Sequence, residues 1–403
     1  MLKIRNFSAY TKIAFVASVA TVISAVLNFF YNVIVGRYLG PDSFGLLASL
    51  MSILGIFTIG TSGFQIATAK EIAKNKTDKS LLLFDRWTVK IISFGVISVL
   101  IFLLFSPVIA RLLNTSIYIS ASICLGGLAA SLFSVAIGRL QGASKFVEWQ
   151  LWGVFATLLK LLGGLILALL GLSVFFFPIS LALIALVVAF LIIYRTRTYG
   201  KVNLRFRSSA VISSSISMTL LWIITQFDII FSRSQFSMNE SGLYAAAATL
   251  SKSIPVAVGL AGAIMLPKVA KKTHEGKTSN KEILSLALVS FSIGSLMVLV
   301  AILFRVPLIL NLFGSQYSGA TEILLLSAIS SIPWCVTVAL VQALLGSHEK
   351  QVSVILAIGT ICSIACAYVF ASTLDILITI SGVTGLAMAV CLLSLNRTKT
   401  GFE

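Results

Sequence analysis

The chain is written in long apolar runs, and that one feature leaves few folds open to it. Runs near residues 13 to 35, 44 to 67, 88 to 110, 117 to 138, 149 to 171, 172 to 194, 211 to 232, 242 to 266, 283 to 304, 317 to 345, 351 to 371 and 374 to 395 each match the ~20 residues that a helix needs to cross a ~30 Å hydrocarbon layer. Backbone groups in lipid must be satisfied within the segment, so such runs read as spanning helices, and the alternating pattern of a membrane barrel is absent. Hydrophobic residues make up 58% of the 403 and charged residues 11%, against roughly 25% charged in a soluble domain. The expected fold is an all-α polytopic membrane protein with about 12 transmembrane helices.

Charge orients these helices. An even number of spans places both termini on one face. That face receives every one of the 30 Lys and Arg residues except Arg37, Arg111, Arg233 and Arg305, which fall opposite, and Lys160 and Lys252, which fall inside spans. Basic residues collect in cytoplasmic loops, so both termini are expected in the cytoplasm and the protein in the inner (cytoplasmic) membrane. The net charge of +17 is therefore read as topology. It is spread over every loop of one face and no soluble segment is long enough for a nucleic-acid fold, so no nucleic-acid partner is expected. MLKIRNFSAYTKI reads as an interfacial lead into the first span, since a long apolar run follows it without a small-x-small cleavage site. A single cysteine placed at Asn114 or Asn239 in a cysteine-free background should react with an impermeant thiol reagent outside intact cells. One at Thr278 should stay protected until the membrane is opened, and labelling of it from outside overturns the orientation.

Chemistry by side-chain clusters is not indicated. The five cysteines, Cys124, Cys335, Cys362, Cys366 and Cys391, lie in spans and are odd in number, so no disulfide framework is implied. Cys362 and Cys366 share a helix face but have no His or carboxylate neighbour in sequence, and His274 and His348 lie in loops, so no metal site is expected. There is no G-x-x-x-x-G-K-[ST] loop, no H-E-x-x-H and no G-x-S-x-G, so the chain reads as neither an ATPase nor another enzyme, with no catalytic residues and no cofactor.

Residues 28 to 49, NFFYNVIVGRYLGPDSFGLLAS, join two apolar runs through a compact hinge holding Arg37, Gly40, Pro41 and Asp42, and residues 224 to 248 do so again. Aligning Gly45 with Gly242 carries Ala48 onto Ala245, Ala73 onto Ala270 and Lys74 onto Lys271 at a constant offset, and Arg37 meets Arg233 with one residue inserted. The second half repeats the first. Six spans per half keep the two copies in one orientation, giving two six-helix bundles, residues 1–200 and 201–403, related by a parallel repeat with its axis along the membrane normal.

With these residues in view, GRYLGPDSFGLLASLMSILGIFTIGTSGFQIATAKEIAK resembles the opening signature of the polysaccharide and lipid-linked oligosaccharide flippases of the multidrug/oligosaccharidyl-lipid/polysaccharide exporter superfamily. Arg37, Leu39, Gly40, Pro41, Phe44 and Gly45 carry the pattern, and Asp228, Gly242, Leu243, Tyr244 and Ala245 are similar to the family's seventh and eighth helices. The resemblance implies a flippase that moves a polyprenyl-pyrophosphate-linked oligosaccharide (an O-antigen, capsule or exopolysaccharide unit) across the cytoplasmic membrane by alternating access. H+, Na+ or neither stays open as the source of energy, and the expected partners are membrane lipid around a monomer, a polysaccharide polymerase and glycosyltransferases. Two alternatives stay open: a cation-coupled small-molecule or multidrug efflux antiporter of the same fold, and a transport-inactive membrane scaffold.

A charge near the bilayer centre costs on the order of 2.5 to 3.5 kcal/mol and so usually marks a pathway. Lys160 and Lys252 lie midway along the fifth and eighth spans, the latter three residues before Pro255, where a helix break is expected. With Arg37 and Arg233 they form the expected cationic set for a pyrophosphate. Asp228, and Asn32 at the equivalent depth of the first half, are the expected ion-coupling positions. Against these stand two structural readings: Asp228 and Lys252 simply pair, and Lys160 snorkels.

Overall fold

The computed structural model describes residues 2–74, 86–197, 209–274, 280–345 and 349–395 and contains no strand among them. Thr278, His348 and much of the basic loop sequence lie outside the described residues. The helices are α1 (Leu2–Gly60), α2 (Ser62–Lys74), α3 (Arg86–Leu112), α4 (Ile117–Ala121), α5 (Cys124–Gly142), α6 (Phe146–Leu169), α7 (Phe176–Arg195), α8 (Ser209–Gln235), α9 (Met238–His274), α10 (Asn280–Leu303), α11 (Arg305–Leu312), α12 (Ala320–Leu344), α13 (Glu349–Phe370) and α14 (Leu374–Leu395), with a 3₁₀ turn at Ser315–Tyr317.

Ten stretches among the described residues are long and apolar enough to cross a membrane, and the first of them, Val19–Ala73, is 55 residues long. That is about 80 Å of helix, more than twice the hydrocarbon thickness. The chain breaks it at Gly40, whose φ of 73° and ψ of 169° are not helical. A residue with a side chain is strained there, and Pro41 then starts the next helix with a preset φ and no N–H to lose. Gly171, at φ 62°, makes the tight turn between α6 and α7. Pro255 does not break α9, which stays helical through it. A proline removes one backbone hydrogen bond, and a helix packed among neighbours tolerates that loss.

The chain divides into two compact units, residues 1–38 with 57–211, and residues 39–56 with 212–403. Against a cut at residue 200, residues 39–56 and residues 201–211 change sides. Residues 39–56, numbered within the first half, belong with the second because they exchange hydrogen bonds with α8: Ser49 donates to the Ile229 carbonyl at 3.1 Å, and the Trp222 indole donates to the Ser52 carbonyl at 3.0 Å.

In the first unit α5 lies at the centre, packed by α2, α3 and α7. Its small residues make this possible. A Cβ on Gly138 would lie 2.5 Å from the Gln65 carbonyl oxygen, and one on Gly142 would lie 2.5 Å from that of Ala69, so two glycines four apart let α2 cross backbone to backbone. Ala136, Ile137 and Leu140 pack on Val188, Ala189, Ile192 and Ile193 of α7. In the second unit α12 takes the central place among α9, α10 and α14. Outer faces stay apolar, as with Leu100, Leu104 and Val108 of α3 and Leu288, Leu296 and Leu303 of α10, which suits a lipid solvent.

Candidate functional site

Each unit holds one half-buried intramembrane lysine, and the two lysines are held differently. In the second unit Lys252 of α9 donates to Asp228 Oδ1 of α8 and to the Thr225 carbonyl at 2.6 Å. Asp228 is 2% exposed. Its Oδ2 accepts from the Tyr244 hydroxyl at 2.6 Å, and its Oδ1 also accepts from the Ile229 N–H at 2.8 Å. Tyr244 is held in place by Ile229, Ala248 and Ile378. Asp228 is thus a carboxylate with donors on both oxygens, and Lys252 is a cation with its countercharge built in. The residues expected as a substrate contact and an ion-coupling position stand as an ion pair.

In the first unit Lys160 of α6 reaches α1. Its Nζ donates to Asn28 Oδ1 at 2.6 Å and sits 4.3 Å from the centroid of the Tyr31 ring. Both partners are neutral, and no carboxylate stands within ion-pair reach among the described residues. Asn28 and Tyr31 share a helix face at i, i+3. Tyr31 is 1% exposed, and its buried hydroxyl has no hydrogen-bond partner among the described residues. Gly164, one turn beyond Lys160, admits the ring: a Cβ there would stand 2.5 Å from Tyr31 Cε2. A cation over an aromatic face gains on the order of 0.5 to 2 kcal/mol but keeps its full charge.

Arg233, Arg37 and Asn32 are the remaining expected positions. Arg233 is 3% exposed and donates from Nη1 to the Asp42 carbonyl at 3.2 Å and to Ser241 Oγ at 3.4 Å. It braces the hinge of α1 against the start of α9, both in the second unit. Burial and the nearby Asp42 carboxylate push the Tyr317 phenol, beside this hinge, above its ordinary value. Arg37 is exposed on α1, before the Gly40 break. The Asn32 amide donates to the Asn28 carbonyl of its own helix at 3.0 Å. No group of three or more His, Cys, Asp or Glu residues able to hold a metal ion occurs among the described residues. Tyr31 and Thr225 were invisible as partners in the sequence. Tyr31 stands one turn after Asn28, a usable hint, but nothing in the chain announces that α6 passes over it.

The hinges also meet each other. A Cβ on Gly45 would lie 2.7 Å from Ser241 Oγ, and one on Gly242 would lie 1.9 Å from the Pro41 carbonyl oxygen. The two glycines matched by the repeat therefore occupy one helix crossing within the second unit. The polar, glycine-rich character of both hinges follows from this contact, in which backbone lies on backbone and buried carbonyls need the Arg233 guanidinium.

No curated protein matches the chain. Among solved structures, an inward-facing multidrug resistance transporter of the MATE family of the MOP superfamily superposes with a TM-score of 0.73 at 15% identity, over 95% of this chain and 98% of that one. The lipid II flippase MurJ, in an inward closed conformation, gives 0.71 at 13% identity, over 95% and 87%. A MOP superfamily transporter from Pyrococcus furiosus, described by the reverse polarity of its binding pocket, gives 0.63 at 15% identity, over 96% and 95%. These likenesses show the fold. The family model for polysaccharide biosynthesis proteins matches residues 34–322, well over half of the sequence. The chain accordingly belongs to the polysaccharide biosynthesis protein family, as a multi-pass membrane protein with the fold of MOP superfamily transporters and flippases.

Proposed function

We propose that the protein moves a polyprenyl-pyrophosphate-linked oligosaccharide from the cytoplasmic to the outer face of the inner membrane, and that Lys160 is the cation that meets the pyrophosphate. The observation that carries this reading is the contrast between the two lysines. Lys252 is neutralised by Asp228, whereas Lys160 is held only by an amide and an aromatic face. An ammonium kept at membrane depth without a countercharge is costly unless a ligand supplies one. An anionic substrate supplies it through charge-assisted hydrogen bonds, and a cationic drug does not. Arg37, further along α1 from Asn28 and Tyr31, is a second proposed contact. Coupling to H+ or Na+, if it runs through Asp228, must displace Lys252 from the carboxylate. A polysaccharide polymerase and glycosyltransferases are the expected neighbours in the pathway.

The test is turnover of a fluorescent polyprenyl-pyrophosphate oligosaccharide in liposomes without nucleotide. Lys160→Ala should lower it by about 10-fold or more, the loss of one hydrogen bond to a charged group, while Lys160→Arg keeps part of the rate because it preserves charge and alters geometry. Wild-type turnover by well-folded Lys160→Ala overturns the assignment. Efflux of a cationic dye by the same liposomes, with no movement of the oligosaccharide lipid, favours the antiporter reading that the multidrug relative of the fold suggests.

A further inference from the structure

On the first unit, at the end of the helices where the basic residues collect, a cavity of about 350 Å³ is lined by Glu148, Leu151, Trp152, Phe155 and Arg195. It plays no part in the lysine sites. From this groove we infer a binding site for one anionic glycerophospholipid of the surrounding leaflet, with the lipid phosphate at Arg195 and Lys145 and an acyl chain along Leu151 and Phe155.

The groove is graded along the membrane normal. Glu148 lies in the first turn of α6 and Arg195 in the last turn of α7, which places both at the level where the spans Phe146–Leu169 and Phe176–Arg195 leave the hydrocarbon. Phe155 is seven residues further along α6, about 10 Å deeper at 1.5 Å per residue. A ligand fitting this gradient is charged at the surface and apolar below it. Leu151 and Phe155 are 56% and 41% exposed, and Trp152 stacks edge-on against Phe155 with centroids 5.8 Å apart, so the deep end presents apolar surface ready for a chain.

Charge sets the sign of the ligand. Arg195 Nε lies 3.4 Å from Glu148 Oε2 and Lys145 Nζ lies 3.6 Å from Glu148 Oε1, with the Arg195 and Lys145 side chains 61% and 49% exposed. Arg197 stacks over Tyr194 beside them at 4.3 Å. Two cations against one carboxylate, with Arg197 two residues beyond Arg195, leave a net positive rim. Exposed pairs of this kind are weak, so Glu148 gives way to a phosphate at little cost. Indole rings favour this interfacial depth.

Native mass spectrometry of the purified protein with palmitoyl-oleoyl phosphatidylglycerol and with phosphatidylcholine of the same chains tests the site. One phosphatidylglycerol should be retained in preference to phosphatidylcholine. The preference should fall about fivefold for each basic residue removed in Lys145→Ala and Arg195→Ala. Glu148→Gln should raise it, because the competing carboxylate is gone, which loss of structure cannot imitate. Equal retention of the two lipids, or weaker phosphatidylglycerol binding by Glu148→Gln, overturns the inference. Tighter binding of undecaprenyl phosphate than of phosphatidylglycerol at these residues also overturns it, assigning the groove to the carrier lipid instead.

Discussion

Replacing Lys252 by Ala, or Asp228 by Ala, should cost about 3 to 5 kcal/mol of stability, and replacing both should return most of it. Asp228 is 2% exposed, so removing its ammonium partner leaves a buried carboxylate with the Tyr244 hydroxyl and one backbone N–H. Removing the carboxylate strands a lysine within the membrane span with only the Thr225 carbonyl. Each single change therefore leaves an uncompensated charge, and the double change leaves none. Tyr244→Phe should cost less, about 1 to 3 kcal/mol, since it removes one hydrogen bond to the carboxylate. Unfolding of the four proteins of the double-mutant cycle in detergent gives the coupling energy directly. A double variant as unstable as the sum of the singles would mean the pair contributes nothing. Transport separates structure from function: export regained in the double variant makes the pair a brace, and export lost in a stable double variant gives Lys252 or Asp228 a direct part in transport.

Gly242→Ala should prevent normal folding, or destabilise the protein by about 3 kcal/mol, the upper part of the range for overpacked sites. The added methyl would stand 1.9 Å from the Pro41 carbonyl oxygen, and a backbone carbonyl in a helix start cannot swing aside as a side chain can. Gly153→Ala is the control. A Cβ at Gly153 meets nothing within 4 Å, so the only effect there is the helix propensity gained over glycine, up to about 1 kcal/mol. Folded yield and melting temperature by size exclusion after heating compare the two, and equal behaviour removes the hinge contact from the account of the fold.

The hinges illustrate how much could be read beforehand. Gly40 followed by Pro41 is a break that the sequence announces, because the backbone chemistry of those two residues is local. Likewise Arg233 at the end of an apolar run is visible as a basic residue in an unusual place. Its role is not, because the Asp42 carbonyl that it meets lies 191 residues away and carries no side-chain signature. Pro255 misled for the opposite reason: a local rule predicts a break, and packing of α9 against α12 overrides it.

Hydropathy alone determined the class of fold and the approximate limits of most spans, since the cost of burying unsatisfied backbone in lipid acts on each segment separately. The charged residues in spans were likewise forced into view by composition. What tertiary structure decided was pairing. Lys160 and Lys252 are indistinguishable as letters in apolar runs, and only the packing of α6 on α1 and of α8 on α9 gives one a neutral amide and ring and the other a carboxylate. Residues 39–56 show the same limit: a helix's neighbours depend on side-chain contacts between distant segments, so chain order placed them in one half while hydrogen bonds to α8 placed them in the other unit.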